Sequence, residues 1–434
     1  MDNAFIKTKS WLSFTEILCL VFFISLVCAF RAITSISIAI MILAGIIQQR
    51  KYIAAVFTSH PLSPFLAGCI IFFLWQAISL FYSNSVEAGI NDTRLKTGLL
   101  FIPYLVLFIG YFKTITIKKL LTWYCILVFF SSIYLLVFAS LKFFQEKTAT
   151  VFFYHALVSP FNYHAVYYSI LVFVALTYLL ETLFSSEKII NKSLHLLMII
   201  FLSIFLLLLS SKLVICYYII YVVAMLITWT GKKKISKLFV YTSAVLIAFA
   251  TFFIILTENP VGNRFRDFAS GNIKLIFREK FSPSVYFNGL QFRLLQWRLV
   301  PEILNEQHRW WLGVSTGDAQ TLLNEKYIAL NMYRGDPGKP GSGYLNYNTH
   351  NQLLQSLLQS GIPGALLFSC IYVSLLLAAL KSKDRIFRFT AYLLLIYLLV
   401  ESLFQEQYGL VIFIFWPICI IQLNSQNHLA KKNT

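Results

Sequence analysis

Charge is scarce in this 434-residue chain. Only 12% of the residues are charged, whereas 58% are apolar and 17% are aromatic. A water-soluble protein of this length would need far more charge to cover its surface, so the composition excludes an ordinary soluble domain. The seven cysteines all lie inside long apolar runs. We therefore expect neither a disulfide framework nor a cysteine-bound metal.

Carboxylates are scarcer still, with 18 acidic residues against 36 basic ones. Between the first two apolar runs the only charged residue is Arg31. A hard divalent cation is usually held by several carboxylate oxygens, and this segment offers none. We therefore expect no metal site and no cofactor.

Long apolar runs fill most of the chain. They are 16 to 22 residues long, which is the length that a helix needs to cross a bilayer. There are twelve of them, at 12–30, 32–47, 65–82, 97–112, 120–141, 165–184, 194–209, 213–230, 238–256, 363–380, 389–404 and 408–423. The sequence thus predicts an all-α, polytopic membrane protein with about twelve transmembrane helices. In this interpretation residues 1–256 carry nine spans, 257–362 form one long helical loop, and 363–434 carry three more spans.

The formal charge of +18 reflects membrane topology rather than affinity for nucleic acid. With the N-terminus inside, 19 of the 36 basic residues fall in cytoplasmic segments, six in short external segments and 11 in the long loop. By the positive-inside rule, both termini are cytoplasmic and the long loop lies outside. We expect membrane lipids, and no nucleic acid, as partners.

The long loop is the one extended polar stretch of the chain. In its first part apolar side chains recur at helical spacing, at Phe292, Leu295, Leu299 and Ile303. They predict a helix over 291–306, which Pro301 should kink or shorten. A second helix is predicted over 318–330, after the glycine-bearing turn LGVSTGD.

The loop ends in NYNTHNQLLQSLLQSGIPG, residues 346–364, which predicts a helix beginning near Thr349. Leucines follow His350 by three, four and seven positions, and this spacing would place His350 in the first turn. A polar stripe lies beside them, at Asn351, Gln355 and Gln359.

An arginine-to-tryptophan helix, a glycine turn and the pattern HN-x-LL-x-x-L-x-x-x-G-I-P-G before a span resemble the O-antigen ligase and O-antigen polymerase family of bacterial envelope glycosyltransferases. These motifs occupy 287–368. The layout of nine spans, a long external loop and three further spans extends the resemblance to most of the chain. It implies a GT-C-like membrane fold.

The resemblance implies transfer of a polysaccharide from an undecaprenyl-diphosphate carrier, without a metal, at the periplasmic face of the bacterial inner membrane. The acceptor would be a hydroxyl of lipid A–core in a ligase, or a growing glycan in a polymerase. Carried onto this sequence, Arg293 would bind the donor diphosphate and His350 would activate the acceptor hydroxyl. Lys212 stands where the family pattern has arginine, and it would add positive charge near the diphosphate.

The chemistry of these side chains agrees with that implication. A lipid diphosphate leaves readily when its charge is held, and arginine holds phosphate oxygens bidentately. We expect Arg293 to share this task with one or two of Arg264, Arg266 and Lys212. Histidine titrates near neutral pH and suits a base for a sugar hydroxyl. Nearby arginines and a helix N-terminus would disfavour the imidazolium form of His350.

Four further side chains are candidates for lining a substrate cavity: Trp297, Asn351, His164 and Arg94. Arg94 could instead extend to the membrane interface, and His164 could belong to an interfacial aromatic belt. Without the family pattern, His350 could be a packing residue and Arg293 a solvated one.

Two rival functions remain open. A polymerase would use the same scaffold, since nothing in the sequence names the acceptor. A transporter for lipid-linked sugar would need ionisable residues deep in several spans, whereas Glu181, Glu401 and Glu406 lie near span ends.

Overall fold

The computed structural model describes residues 2–183, 191–231, 259–269, 271–338 and 342–430. Within these ranges the regular structure is entirely helical, so the prediction of an all-α protein is confirmed for this part of the chain. The helices are α1 (Asp2–Val27), α2 (Arg31–Gln49), α3 (Ile53–Ser59), α4 (Ser63–Ile78), α5 (Val86–Leu95), α6 (Gly98–Phe101), α7 (Leu105–Ile109), α8 (Thr114–Glu146), α9 (Tyr154–Leu157), α10 (Ala165–Leu183), α11 (Lys192–Leu208), α12 (Lys212–Gly231), α13 (Pro260–Ala269), α14 (Gly289–Glu306), α15 (Ala319–Ala329), α16 (Gln352–Lys381), α17 (Arg385–Val400) and α18 (Gln407–Ala430).

Several of these helices are suited to a membrane. Six of the described helical stretches are long and apolar enough to cross one: Arg31–Gln49, Ser63–Tyr82, Thr116–Glu146, Ala165–Leu183, Lys212–Thr230 and Gln352–Lys381. Three shorter apolar helices cover Phe14–Val27, Lys192–Leu208 and Gln407–Leu423. The chain is therefore a multi-helix membrane protein. The count of twelve spans stays a prediction, and the predicted span 238–256 lies outside the described residues.

The chain forms two compact units, each built from separate stretches of sequence. The first contains Met1–Met41, Phe112–Ala269 and Gln422–Thr434. The second contains Ile42–Tyr111 and Ser270–Ile421, so most of the long loop packs within the same unit as α4, α16 and α17. The division into 1–256, 257–362 and 363–434 stays a prediction.

The predicted span 97–112 is not one continuous helix. It consists of α6, a 3₁₀ turn over Ile102–Tyr104 and α7. Pro103 lies in the 3₁₀ turn, and a proline has no N–H to continue an α-helical ladder. Side chains from Leu105 to Ile109 are nevertheless buried, so the segment contributes to the core of the second unit.

The long loop has its own apolar core, centred on α14 and α15. Asn288 begins α14 with a capping box, since its side chain accepts N–H bonds from Leu290 and Gln291 while Gln291 bonds back to Asn288. The apolar side chains whose spacing predicted this helix are buried, namely Phe292, Leu295, Leu299 and Ile303. They pack with Leu323 and Tyr327 of α15. The helix continues through Pro301 to Glu306, so this proline does not shorten it, and the alternative expectation of a kink stays a prediction.

A break divides α16 into a short, polar N-terminal part and a longer apolar part. Ser360 has φ −137° and ψ 19°, and Gly361 has φ 65° and ψ −165°. The Gly361 values belong to a region that is almost exclusive to glycine. Pro363 follows and lacks an N–H group. The GIPG stretch of the sequence motif is therefore the break itself.

The backbone groups freed by this break are bonded by the segment 310–315. Val314 donates its N–H to the Leu358 carbonyl at 2.8 Å, and Ser315 donates to the Gln359 carbonyl at 3.1 Å. Ile362 donates to the Trp310 carbonyl at 2.9 Å. Buried backbone groups need such partners. The break in α16 and the segment 310–315 (WWLGVS) therefore supply each other's hydrogen-bond partners.

We expect Gly361→Ala to destabilise the protein and to lower its activity. A Cβ atom at Gly361 would lie 2.1 Å from the Trp311 carbonyl oxygen. Gly338→Ala is a matched control, because φ is +77° there and no described atom lies within 4 Å of its added Cβ. Both changes carry the cost of a positive φ, whereas Gly361→Ala adds an overpacking cost of about 1–3 kcal/mol. Thermal unfolding in detergent should rank Gly361→Ala well below the control, and equal midpoints would contradict the close approach.

Candidate functional site

His350 lies just before α16 rather than in its first turn. The helix begins at Gln352, and Asn351 is the N-cap, whose side chain accepts a 3.0 Å bond from the Leu354 N–H. The predicted helical position of His350 is therefore wrong, because the Asn351 side chain takes the capping role. His350 itself has φ +46°, a left-handed conformation that only a minority of non-glycine residues adopt. The Asn348 side chain holds it by accepting the His350 N–H at 2.9 Å.

The segment around His350 is bonded to the end of α17. The Asn351 N–H donates to Ser402 Oγ at 3.2 Å, and its side-chain amide donates to the Leu399 carbonyl at 3.0 Å. Asn351, which the sequence suggested for a substrate cavity, is buried and has this capping and bridging role. Glu401 follows α17 in an extended conformation. Its side chain lies beside His350.

Arg293, in the second turn of α14, is bonded to the same region. Its Nε donates to the Val400 carbonyl at 3.0 Å, and one terminal nitrogen donates to the Gly289 carbonyl at 3.0 Å. The other terminal nitrogen lies 3.2 Å from Glu401 Oε2. The planar fork of arginine allows all three contacts at once.

Glu401 joins the two residues that the family pattern selected. Its Oε1 lies 2.7 Å from His350 Nδ1, while its Oε2 contacts Arg293. The side chains are 13% exposed for Glu401, 17% for His350 and 31% for Arg293. The three groups form a partly buried row of base, carboxylate and guanidinium. An arginine was expected beside His350, but the charged group that contacts its ring is a carboxylate.

The tryptophan of the arginine-to-tryptophan helix (FRLLQWR, 292–298) bonds to the backbone just before His350. Trp297 lies one turn after Arg293 and donates its indole N–H to the Thr349 carbonyl at 3.1 Å. Gln296 donates to the Asn348 carbonyl and to Tyr327 Oη. Burial raises the pKa of Tyr327, which keeps its hydroxyl neutral as it donates to the Tyr347 carbonyl at 2.9 Å. The backbone that leads into His350 is thus fixed by α14 and α15.

The polar stripe of α16 is buried, as is Leu358, whereas Leu353, Leu354 and Leu357 are only partly buried. Both glutamines of the stripe have a partner, since Gln355 accepts from the Thr349 N–H and Gln359 from Lys96 Nζ, and the neighbouring Gln352 accepts from the Phe404 N–H. Buried amides are stable when bonded in this way. The N-terminal part of α16 therefore contacts its surroundings through hydrogen bonds as well as through apolar packing, since Leu358 is in the core of the loop and Leu354 and Leu357 pack against that core.

Lys96 is a fully buried cation near the break in α16. Its Nζ lies 2.6 Å from both Asp92 Oδ2 and Gln359 Oε1, and 3.1 Å from Gln76 Oε1. Burial lowers the pKa of Lys96, and the neighbouring Asp92 offsets part of this effect. Gln76 in turn donates to Ser360 Oγ at 2.8 Å. Lys96 therefore links α5 and α4 to the break.

Four other predicted site residues lie in the first unit. His164 precedes α10, and its ring centroid lies 4.3 Å from that of His155 and 6.3 Å from that of Tyr154. The Arg264 guanidinium lies 3.4 Å from the centroid of the same Tyr154 ring, a cation–π contact. Thus the structure brings His164 and Arg264 together through Tyr154.

Lys212 is the first residue of α12, and Arg266 bonds to Asn263 within α13. The assignment of Lys212, Arg264 and Arg266 to a diphosphate stays a prediction. In the second unit, Arg94 is exposed in the last turn of α5. Neither of its two interpretations is tested by this position.

The comparison with known families agrees with the motif. Residues 197–369 match a family model described as O-antigen ligase, and this confirms the resemblance recognised in the sequence. The match supports a glycosyltransferase-like role in O-antigen processing. It contains Arg293 and His350 but ends before Glu401. No curated protein matches this chain.

Sequence reasoning missed the role of Glu401, which it treated as a residue near a span end. Its hydrogen-bond partner, His350, lies 51 residues earlier in the sequence. The one available signal was an acidic side chain within an apolar run, near its end, where charge is costly unless it is paired.

We expect Trp297→Phe to lower activity about threefold to tenfold, because the Thr349 carbonyl loses a hydrogen bond worth about 1 kcal/mol. Trp310→Phe is the matched control, since its indole bonds to the Asn305 side chain at 2.7 Å, away from His350. Steady-state rates of both variants would be compared. If Trp297 instead stacks on substrate, phenylalanine keeps an aromatic face and the Trp297→Phe rate should stay near that of wild type.

Proposed function

We propose that this protein is a glycosyltransferase that moves a polysaccharide from an undecaprenyl-diphosphate carrier to a hydroxyl acceptor. Lipid A–core is the acceptor that a ligase would use, and the reaction would occur at the periplasmic face of the inner membrane. One observation carries the proposal: Arg293 and His350 are joined through Glu401, and both lie in the stretch that matches the O-antigen ligase family.

Arg293 provides positive charge for the leaving diphosphate. Three of its five N–H groups are used in the contacts to Val400, Gly289 and Glu401. The two others, one on each terminal nitrogen, can donate to phosphate oxygens as the anomeric C–O bond breaks. Donors already held in place by the protein stabilise developing charge without reorganisation.

His350 provides the base. Its Nδ1 contacts Glu401, which leaves Nε2 to accept the proton of the acceptor hydroxyl. The acceptor oxygen then bonds to the anomeric carbon, and undecaprenyl diphosphate departs with the electron pair of the broken C–O bond. One bond forms, one breaks, and the proton moves to His350. The reaction needs no redox partner.

Purified protein in lipid nanodiscs tests this function. It would be incubated with undecaprenyl-diphosphate-linked glycan, with and without rough lipopolysaccharide, and the products separated on a gel. A ladder that requires rough lipopolysaccharide supports a ligase. Carrier-linked glycans that lengthen without it indicate the polymerase alternative. If the protein moves the intact donor across a liposome membrane and forms no glycosidic bond, it is a transporter and the proposal fails.

We expect His350→Ala to slow the chemical step by roughly 10²–10⁴-fold, the usual contribution of a general base. Donor binding should change little, since it depends on arginine. His350→Asn and His350→Gln retain polarity but not basicity, so neither should restore the rate. Single-turnover rates and donor affinities of the three variants would be measured. If the Asn variant turns over like wild type, or if Ala fails only in donor binding, the base lies elsewhere.

We expect Arg293→Ala to abolish most activity and to weaken donor binding. Arg293→Lys should recover only a small part, because one ammonium group cannot reach Val400, Gly289 and Glu401 while also contacting phosphate. The exposed Arg278 of the same loop gives the control Arg278→Ala, which should bind donor like wild type. If lysine and arginine support equal rates at position 293, charge alone matters there.

A further inference from the structure

We infer that Glu401 is a positioning residue that holds the His350 imidazole as the tautomer protonated on Nδ1, so that Nε2 is the basic nitrogen. The inference rests on the proposed function for the role of Nε2, but the tautomer itself is a property of the protein without substrate. The matched stretch ends before Glu401, and the motifs at 287–368 do not include it.

The carboxylate defines which nitrogen carries the proton. An ionised carboxylate only accepts hydrogen bonds, and Glu401 Oε1 lies 2.7 Å from Nδ1. The contact is favourable when Nδ1 bears hydrogen, whereas an Nδ1 lone pair would face a negatively charged oxygen. The Nδ1–H tautomer leaves the Nε2 lone pair available, as in hydrolases where a buried carboxylate orients a histidine base.

The backbone on both sides of this contact is fixed. The Glu401 N–H donates to the Tyr397 carbonyl at 2.8 Å, and the next residue, Ser402, accepts the Asn351 N–H. His350 is held by Asn348 in a left-handed conformation, which is strained for a residue other than glycine. Such a conformation persists when surrounding bonds impose it, and here it directs the ring to Glu401.

Arg293 completes the electrostatics of the pair. A lone carboxylate close to a diphosphate would repel the donor, and the guanidinium 3.2 Å from Oε2 offsets that charge. When His350 takes the acceptor proton, the imidazolium gains a negative partner at Oε1. Glu401 therefore stabilises the charge that forms on the base, while Arg293 lets it do so beside an anionic substrate.

The tautomer can be read directly by ¹⁵N NMR of the protein labelled at histidine, without any substrate. The His350 signal would be assigned by its loss in His350→Gln. We expect the neutral ring to carry hydrogen on Nδ1 in wild type, and Glu401→Gln to shift the population toward hydrogen on Nε2. Hydrogen on Nε2 in wild type, or the same tautomer in both proteins, would overturn the inference even if the proposed function holds.

A double-mutant cycle tests whether Glu401 acts through His350. Glu401→Gln should slow the chemical step by roughly 10²–10⁴-fold in wild type, but by less than threefold in the His350→Ala background. Glu401→Asp, which keeps the carboxylate, should be faster than Glu401→Gln. The control is Glu302→Gln, since Glu302 pairs with Arg298 at 2.7 Å on the same helix as Arg293 and should keep the wild-type rate.

The outcomes separate the two proposals. If wild type makes no glycosidic bond at all, the proposed function fails, and the NMR result still decides the tautomer. If wild type is active and Glu401→Gln slows both backgrounds equally, Glu401 acts independently of His350 and the inference is wrong. A Glu401→Gln variant with unchanged thermal unfolding and a wild-type rate would also overturn it.

Discussion

The break in α16 at Ser360 and Gly361 is the constraint on which the second unit depends. A helix that continued straight would satisfy its own backbone and leave the segment 310–315 without partners. Because it breaks, the Leu358 and Gln359 carbonyls and the Ile362 N–H become the attachment for that segment. The break also receives the Trp75 indole N–H on the Ser360 carbonyl at 3.0 Å. One glycine conformation thus connects the long loop, α4 and the apolar part of α16.

The same arrangement explains how polar groups are buried beside Leu358 at the N-terminal end of α16. Hydrogen bonds are directional, so a row of bonded glutamines fixes the rotation of the helix more narrowly than apolar contacts would. Lys96 contributes a charge to this row and is itself fully buried. Removing one member of such a pair leaves the other without compensation, which is strongly destabilising. These glutamines also hold the backbone just before His350, because Gln355 accepts the Thr349 N–H at 3.2 Å.

Much of the loop could be predicted from the sequence. The helix expected over 291–306 is Gly289–Glu306, and that expected over 318–330 is Ala319–Ala329, because apolar periodicity is a local signal. His350 was misplaced since the leucine spacing continues back through it, and periodicity does not reveal which side chain caps a helix. GIPG was noted only as part of the motif before a span, and neither the break nor its consequences were predicted.

Contacts between residues that are distant in the chain could not be predicted from the sequence. Glu401 is 108 residues from Arg293, and Lys96 is 263 residues from Gln359. Neither pair has a spacing that a helix or a hairpin would produce, and both depend on which helices pack together. A charged residue beside an apolar run is therefore informative only once its neighbours are known. Position 401 then changes from a span-end glutamate to the residue that connects the two ends of the candidate site.

These contacts also explain why lysine could not replace the arginine at position 293. Arg293 has a structural task besides its charge, because its fork bonds to the Val400 carbonyl at the end of α17 and to Gly289 in its own helix. A lysine would have to give up some of these contacts to keep the others. Lys212 begins α12, where its ammonium retains the family's positive charge on a flexible stem. A point charge serves for long-range attraction of an anion, whereas holding two helices and a carboxylate in register requires the planar fork. The planar fork is therefore required at position 293, whereas the role of Lys212 stays a prediction.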